Sequence, residues 1–64
     1  MPVITVEAGT LNKEQKSKLV SELTNIAATV MDIPKQAFIV VLKENEQNNI
    51  GFGGQLLSEN KLNN

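Results

Sequence analysis

Residues 37–42, Ala-Phe-Ile-Val-Val-Leu, constrain the fold more than any other stretch of this chain. The run is rich in β-branched residues, as strands are, yet it does not alternate. Apolar side chains on both sides are the pattern of a parallel strand covered on both faces. Residues 3–8, Val-Ile-Thr-Val-Glu-Ala, alternate and close at Gly9, so they supply a partner strand. Between the two, residues 13–31 carry Leu19, Val20, Leu23, Ile26, Ala27 and Val30, a spacing that lays one stripe down a helix. Asn12 caps that helix, and Gln15 three residues later completes a capping box. Glu14 stands four before Lys18 as an exposed pair. Asp32-Ile33-Pro34 ends the helix, because proline disfavours the α region in the residue before it. Strand, helix, strand in this order predicts an α/β fold built on one right-handed βαβ unit. One helix covers one face of a two-stranded sheet. The other face needs a second subunit.

Size strengthens that expectation. Sixty-four residues make a single domain, 1–64, and chains near this size bury only about 60% of their unfolded surface. Disulfides and metals commonly stabilise such small domains, but the chain has neither Cys nor His. Oligomerisation is what remains. A net charge of −1 and a total lack of arginine argue against a nucleic-acid partner. No segment approaches the roughly 20 apolar residues of a membrane span, and no signal-peptide pattern appears. A cytoplasmic protein is expected. After residue 43 the polar run Glu44–Asn49 reads as a loop, Ile50-Gly51-Phe52-Gly53-Gly54 as a short hairpin or bulge, and 58–64 as a frayed polar tail. The glycines do not form a phosphate loop, since no Lys-Ser/Thr follows and no strand-to-helix context surrounds them.

Without His or Cys, the commonest general base and the commonest thiol nucleophile are both missing. Pro2 stands out instead. Methionine aminopeptidase trims Met ahead of a small residue such as proline, so the mature chain is expected to begin with a free prolyl amine. That secondary amine, at the head of a strand, is the one conspicuous base. A retained Met1 would make it an amide without basicity. The plainer reading, a proline that only marks a strand start where its missing N–H costs little, stands beside the catalytic one.

Pro2 after Met1, Glu14-Gln15-Lys16 opening the helix, Asp32-Ile33-Pro34 before the second strand and Gly51-Phe52-Gly53-Gly54 near the end occur together here. In this combination the chain resembles the 4-oxalocrotonate tautomerase family, across about residues 2 to 58. The resemblance implies a βαβ unit with a short C-terminal hairpin, paired into a four-stranded sheet by dimerisation and assembled as a homohexamer of three dimers. It implies keto–enol tautomerisation of a small 2-oxo or 2-hydroxy-dienoate acid, with Pro2 as general base and acid and with no metal or cofactor. Some relatives instead use the proline to hydrate or dehalogenate unsaturated acids. A non-catalytic oligomeric binding module is a further alternative.

An apolar pocket would lower the basicity of such an amine by disfavouring its charged form, and Val3, Ile39, Ile50 and Phe52 are candidate walls. Plain core packing is the competing reading for each. Well-studied family members place arginines just after the first strand and within the second, and a phenylalanine before the glycine cluster. Here those positions fall on Thr10 or Leu11, on Ile39 and on Ile50. Lys43 shares strand parity with Ile39 and is the preferred replacement cation. Lys13 and Lys16, against the helix macrodipole, are weaker candidates than a solvated helix face. Glu7, Glu44 and Glu46 read as edge or loop charges. With no arginine to fork around a carboxylate, the chain is expected to favour monoacid or uncharged apolar enols over dicarboxylates.

Overall fold

A computed structural model describes residues 1–59. Strand β1, Val3–Ala8, leads to helix α1, Lys13–Met31, and then to strand β2, Ile39–Glu44. The strands pair in parallel, from Val3 opposite Ile39 to Ala8 opposite Glu44. One further bond extends the ladder at each end: the Ile39 N–H donates to the Pro2 carbonyl at 3.1 Å, and the Asn45 N–H to the Ala8 carbonyl at 2.8 Å.

The helix has the bounds its spacing predicts. Asn12 Oδ1 accepts the Gln15 N–H at 2.8 Å, and Gln15 Oε1 accepts the Asn12 N–H at 3.0 Å. This capping box satisfies donors that the first helical turn leaves open. At the other end Asp32 adopts a left-handed conformation, φ 56°, and the Asp32 and Ile33 N–H groups both donate to the Ala28 carbonyl. The stop is therefore a left-handed cap, which Pro34 follows rather than causes.

The second strand differs from its predicted 37–42 span. Residues Lys35–Ala37 form a 3₁₀ turn in which the Ala37 and Phe38 N–H groups donate to the Pro34 and Lys35 carbonyls. Those donors are spent locally, so pairing begins two residues later and runs through Lys43 and Glu44. The polar stretch beyond contains a 3₁₀ turn at Gln47–Asn49. A small antiparallel hairpin follows, of β3 (Gly51–Phe52) and β4 (Gln55–Leu56). Gly53 and Gly54, with φ of 62° and 88°, make its two-residue turn, a conformation open to glycine at little cost. Leu57–Glu59 form a last 3₁₀ turn, where the Ser58 hydroxyl donates to Asn48 Oδ1 at 2.6 Å. The expected tail thus begins with an anchored turn, and residues 60–64 of it lie outside the described residues.

Sheet parity separates the two faces. Ile4, Val6, Ala8, Val40 and Leu42 are half-buried, matching the half-buried stripe of α1 through Leu19, Leu23 and Ala27. On the opposite face Val3 is 58% exposed, Ile39 42% and Val41 38%. The helix stripe is narrower than its sequence pattern, because Val20, Ile26 and Val30 remain exposed. Among the described residues none is fully buried. The radius of gyration is 15.2 Å, against about 11 Å for a compact chain of this length. One protomer does not enclose a core.

Candidate active site

Pro2 sits at the amino end of the parallel sheet. Its carbonyl is held by the Ile39 N–H, and its lack of an N–H leaves no donor unsatisfied at the strand start. The Pro2 residue is half-buried while Met1 before it is 86% exposed. Val3 and Ile39 stand opposite each other beside it. The groups nearest to Pro2 in the ladder are therefore apolar.

The opposite end of the sheet is polar and tightly bonded. Glu44 Oε2 accepts the Leu11 N–H at 2.8 Å, and Glu44 Oε1 accepts the Lys16 ammonium at 2.9 Å. The Leu11 backbone bond, then Lys16, holds the Glu44 carboxyl below the ordinary glutamate value. Together these bonds tie the loop after β1 and the first turn of α1 to the end of β2. Asn45 adds a bond from Nδ2 to Glu7 Oε1 at 3.2 Å. A concavity of about 450 Å³ lies at this end, lined by Glu7, Ala8, Gly9, Asn45, Asn49 and Ile50.

The residues singled out from the sequence divide between the two ends. Ile39 adjoins Pro2. Ile50 lines the concavity, and its carbonyl accepts the Leu57 N–H at 2.7 Å. Lys43 stands opposite Glu7 on the open face. Thr10 is exposed in the loop that Glu44 anchors through Leu11, and Phe52 is 62% exposed on the hairpin. Five residue steps along the strand lead from Pro2 to Glu7, about 17 Å at ~3.3 Å each. Hence Val3 and Ile39 do not share a single-protomer pocket with Ile50. Lys16, one of the lysines considered as a substrate cation, is engaged by Glu44. Among the described residues no group of three or more carboxylates gathers at a spacing that could hold a metal.

Glu44, read from the sequence as an edge or loop charge, instead ends β2 and anchors the loop after β1 through Leu11 and Lys16. Its partners are 33 and 28 positions away, so no local spacing points to it. The signal is the parallel register, which sets Glu44 beside Ala8 and therefore next to the loop that follows.

Comparison with known proteins accords with this architecture. The sequence model of a family described as tautomerase enzyme matches residues 2–60. A probable tautomerase of Campylobacter jejuni is 35% identical over 57 residues, covering 86% of this chain and 84% of that one. The apo structure of a protein described as unfused 4-OT is 36% identical, with a TM-score of 0.81, covering 91% of this chain and 97% of that one. A protein of Chloroflexus aurantiacus described as a heterohexamer 4-oxalocrotonate tautomerase shares the fold, with a TM-score of 0.77 at 22% identity, covering 92% and 95%. Those structures share the βαβ unit with short C-terminal strands found here. This chain belongs to the tautomerase family of enzymes, whose activity is of isomerase type.

Proposed function

We propose that the chain catalyses keto–enol proton transfer on a small 2-oxo or 2-hydroxy-dienoate acid, with Pro2, freed of Met1, as general base and acid. The observation that carries this reading is the placement of Pro2. It heads β1 with its carbonyl locked by Ile39, while the peptide bond on its nitrogen side adjoins the exposed Met1. Removal of Met1 leaves a secondary amine anchored from one side and open on the other. The amine takes a proton from the enol oxygen or an adjacent carbon and returns it to a different carbon, so no net proton is consumed. Apolar neighbours such as Val3 and Ile39 disfavour the ammonium form and bring its basicity toward neutral pH, where a general base works best.

The working form in this reading is a homo-oligomer, a hexamer built as three dimers, in the cytoplasm. Its support is the open sheet face, the lack of any fully buried side chain among the described residues, and the separation of Pro2 from the Ile50 concavity. Each strand of the two-stranded sheet has one unpaired edge. Antiparallel pairing of β1 with β1 of a second copy would set the amino end of one beside the carboxyl end of the other. Pro2 would then meet the partner's concavity. Lys43 is the cation assigned to a substrate carboxylate, with Thr10, Ile50 and Phe52 as further contacts.

A screen of enols against the mature protein tests the reading. Phenylenolpyruvate-type monoacids should ketonise faster than the uncatalysed rate, with a higher kcat/KM than 2-hydroxymuconate. A mature, folded oligomer that accelerates neither would overturn it.

A further inference from the structure

The carboxyl end of the sheet carries a carboxylate where an acid-binding site would be expected to exclude one. Glu7 lines the concavity with Ile50, and the other polar liners are the amides Asn45 and Asn49. No cation is among the six lining residues. The Asn45 amide donates to Glu7 Oε1, and no hydrogen bond among the described residues engages Oε2. Lys43 stands directly opposite Glu7 on the neighbouring strand, about 4.8 Å away along the hydrogen-bonding direction, and both residues belong to the open face. The one ion pair among the described residues is that of Lys16 with Glu44, so the Glu7–Lys43 pair is not closed.

We propose that Glu7 is a specificity-determining residue that weakens the hold of the site on a substrate carboxylate relative to an uncharged group, so that a monoacid is tolerated and a second carboxylate is not. The inference rests on the function proposed above and deepens it by naming the residue that limits how many carboxylates the substrate can carry. A ligand carboxylate seated beside Ile50 meets the fixed negative charge of Glu7 at close range. It must also share Lys43 with a carboxylate already placed opposite that ammonium. An uncharged enol or ester meets neither obstacle, and the two amides offer it neutral hydrogen-bond donors and acceptors. One unit charge at about 6 Å, in surroundings between half as polarisable as water and water itself, changes binding by about three- to tenfold.

The test compares phenylpyruvate with its methyl ester on the mature oligomer, by calorimetric affinity and by kcat/KM for the matching enols. In Glu7→Gln the acid-to-ester affinity ratio should rise about three- to tenfold. Glutamine keeps an acceptor for the Asn45 amide, so the local geometry is retained. Lys43→Ala should move the same ratio in the opposite direction. Asn45→Asp, which adds a carboxylate beside Glu7, should lower it as well and serves where Glu7→Gln fails to fold. An unchanged or lower ratio in folded, oligomeric Glu7→Gln overturns the inference. If that variant does not fold, an unchanged or higher ratio in Asn45→Asp does so. Affinity and turnover separate the two readings: a shifted affinity ratio without enol turnover rejects the proposed chemistry and leaves the role of Glu7 standing.

Discussion

The two ends of the parallel sheet are built on opposite terms. At the carboxyl end, Glu44, Lys16, Leu11, Asn45 and Glu7 are joined by three hydrogen bonds, including the Lys16–Glu44 ion pair, within a single protomer, and the Asn45 N–H adds a backbone bond to Ala8. At the amino end, Pro2, Val3 and Ile39 share one backbone bond and otherwise present apolar surface. One end is bonded together within its own protomer; the other presents apolar surface to a neighbour. In the proposed reading, a base that must lose its proton near neutral pH is better served by the second kind of surroundings, where the ladder neighbours Val3 and Ile39 are apolar.

The sharpest way to break this contrast is at Pro2. Pro2→Ala leaves a more basic, differently placed primary amine, and kcat/KM should fall by roughly 10²-fold or more, in line with general acid–base contributions. Steady-state kinetics on the folded oligomer checks it. A charge on the open face comes next. Ile39→Glu or Val41→Glu sets a carboxylate where the assembly would bury apolar surface, and light scattering should show the oligomer reduced to smaller species. The same change at exposed Thr10 should leave assembly intact.

Smaller effects probe the completed end. Asn12→Ala removes half of the capping box and should cost about 1 kcal/mol in denaturant unfolding. Glu44 adds a pH dependence whose direction follows from its lowered folded-state pKa. Its contribution to stability is fully present above the unfolded glutamate value, about 4.3, and is lost as pH falls through the lower folded value. Glu44→Gln should flatten that acid limb, and the Leu11 amide should exchange faster with solvent. Because Glu44 and Lys16 are both about one-third exposed, the effect should also weaken with salt.

Local signals carried much of this fold. The Asn12–Gln15 box and the Asp32-Ile33-Pro34 stop bound α1 where the spacing predicts, and the alternation of residues 3–8 matches β1. The doubly apolar run was a correct sign of a face that one protomer leaves open. Its strand bounds were not legible, because the 3₁₀ turn after Pro34 and the register with β1 decide where pairing starts. Nor could the helix stripe show that Val20, Ile26 and Val30 lie beyond the reach of a two-stranded sheet. At the site, Pro2 was conspicuous by residue type and position. The anchoring by Glu44, read only as an edge or loop charge, was not legible, since its partners are brought near only by the crossover. The ~17 Å between Pro2 and Glu7 follows from strand length, but the placement of Ile50 beside Glu7 rather than beside Pro2 depends on the path of the chain after β2.

The most direct test of the central claim is to block the prolyl nitrogen and nothing else. Residues 2–64 can be made by chemical synthesis with Pro2 either free or acetylated, and both forms checked for helix content and oligomer mass. The free amine should catalyse enol ketonisation with an ascending pH limb that reports loss of its proton, and the acetylated chain should lose roughly 10²-fold or more. Equal rates from two equally folded oligomers would place the base elsewhere and contradict the account.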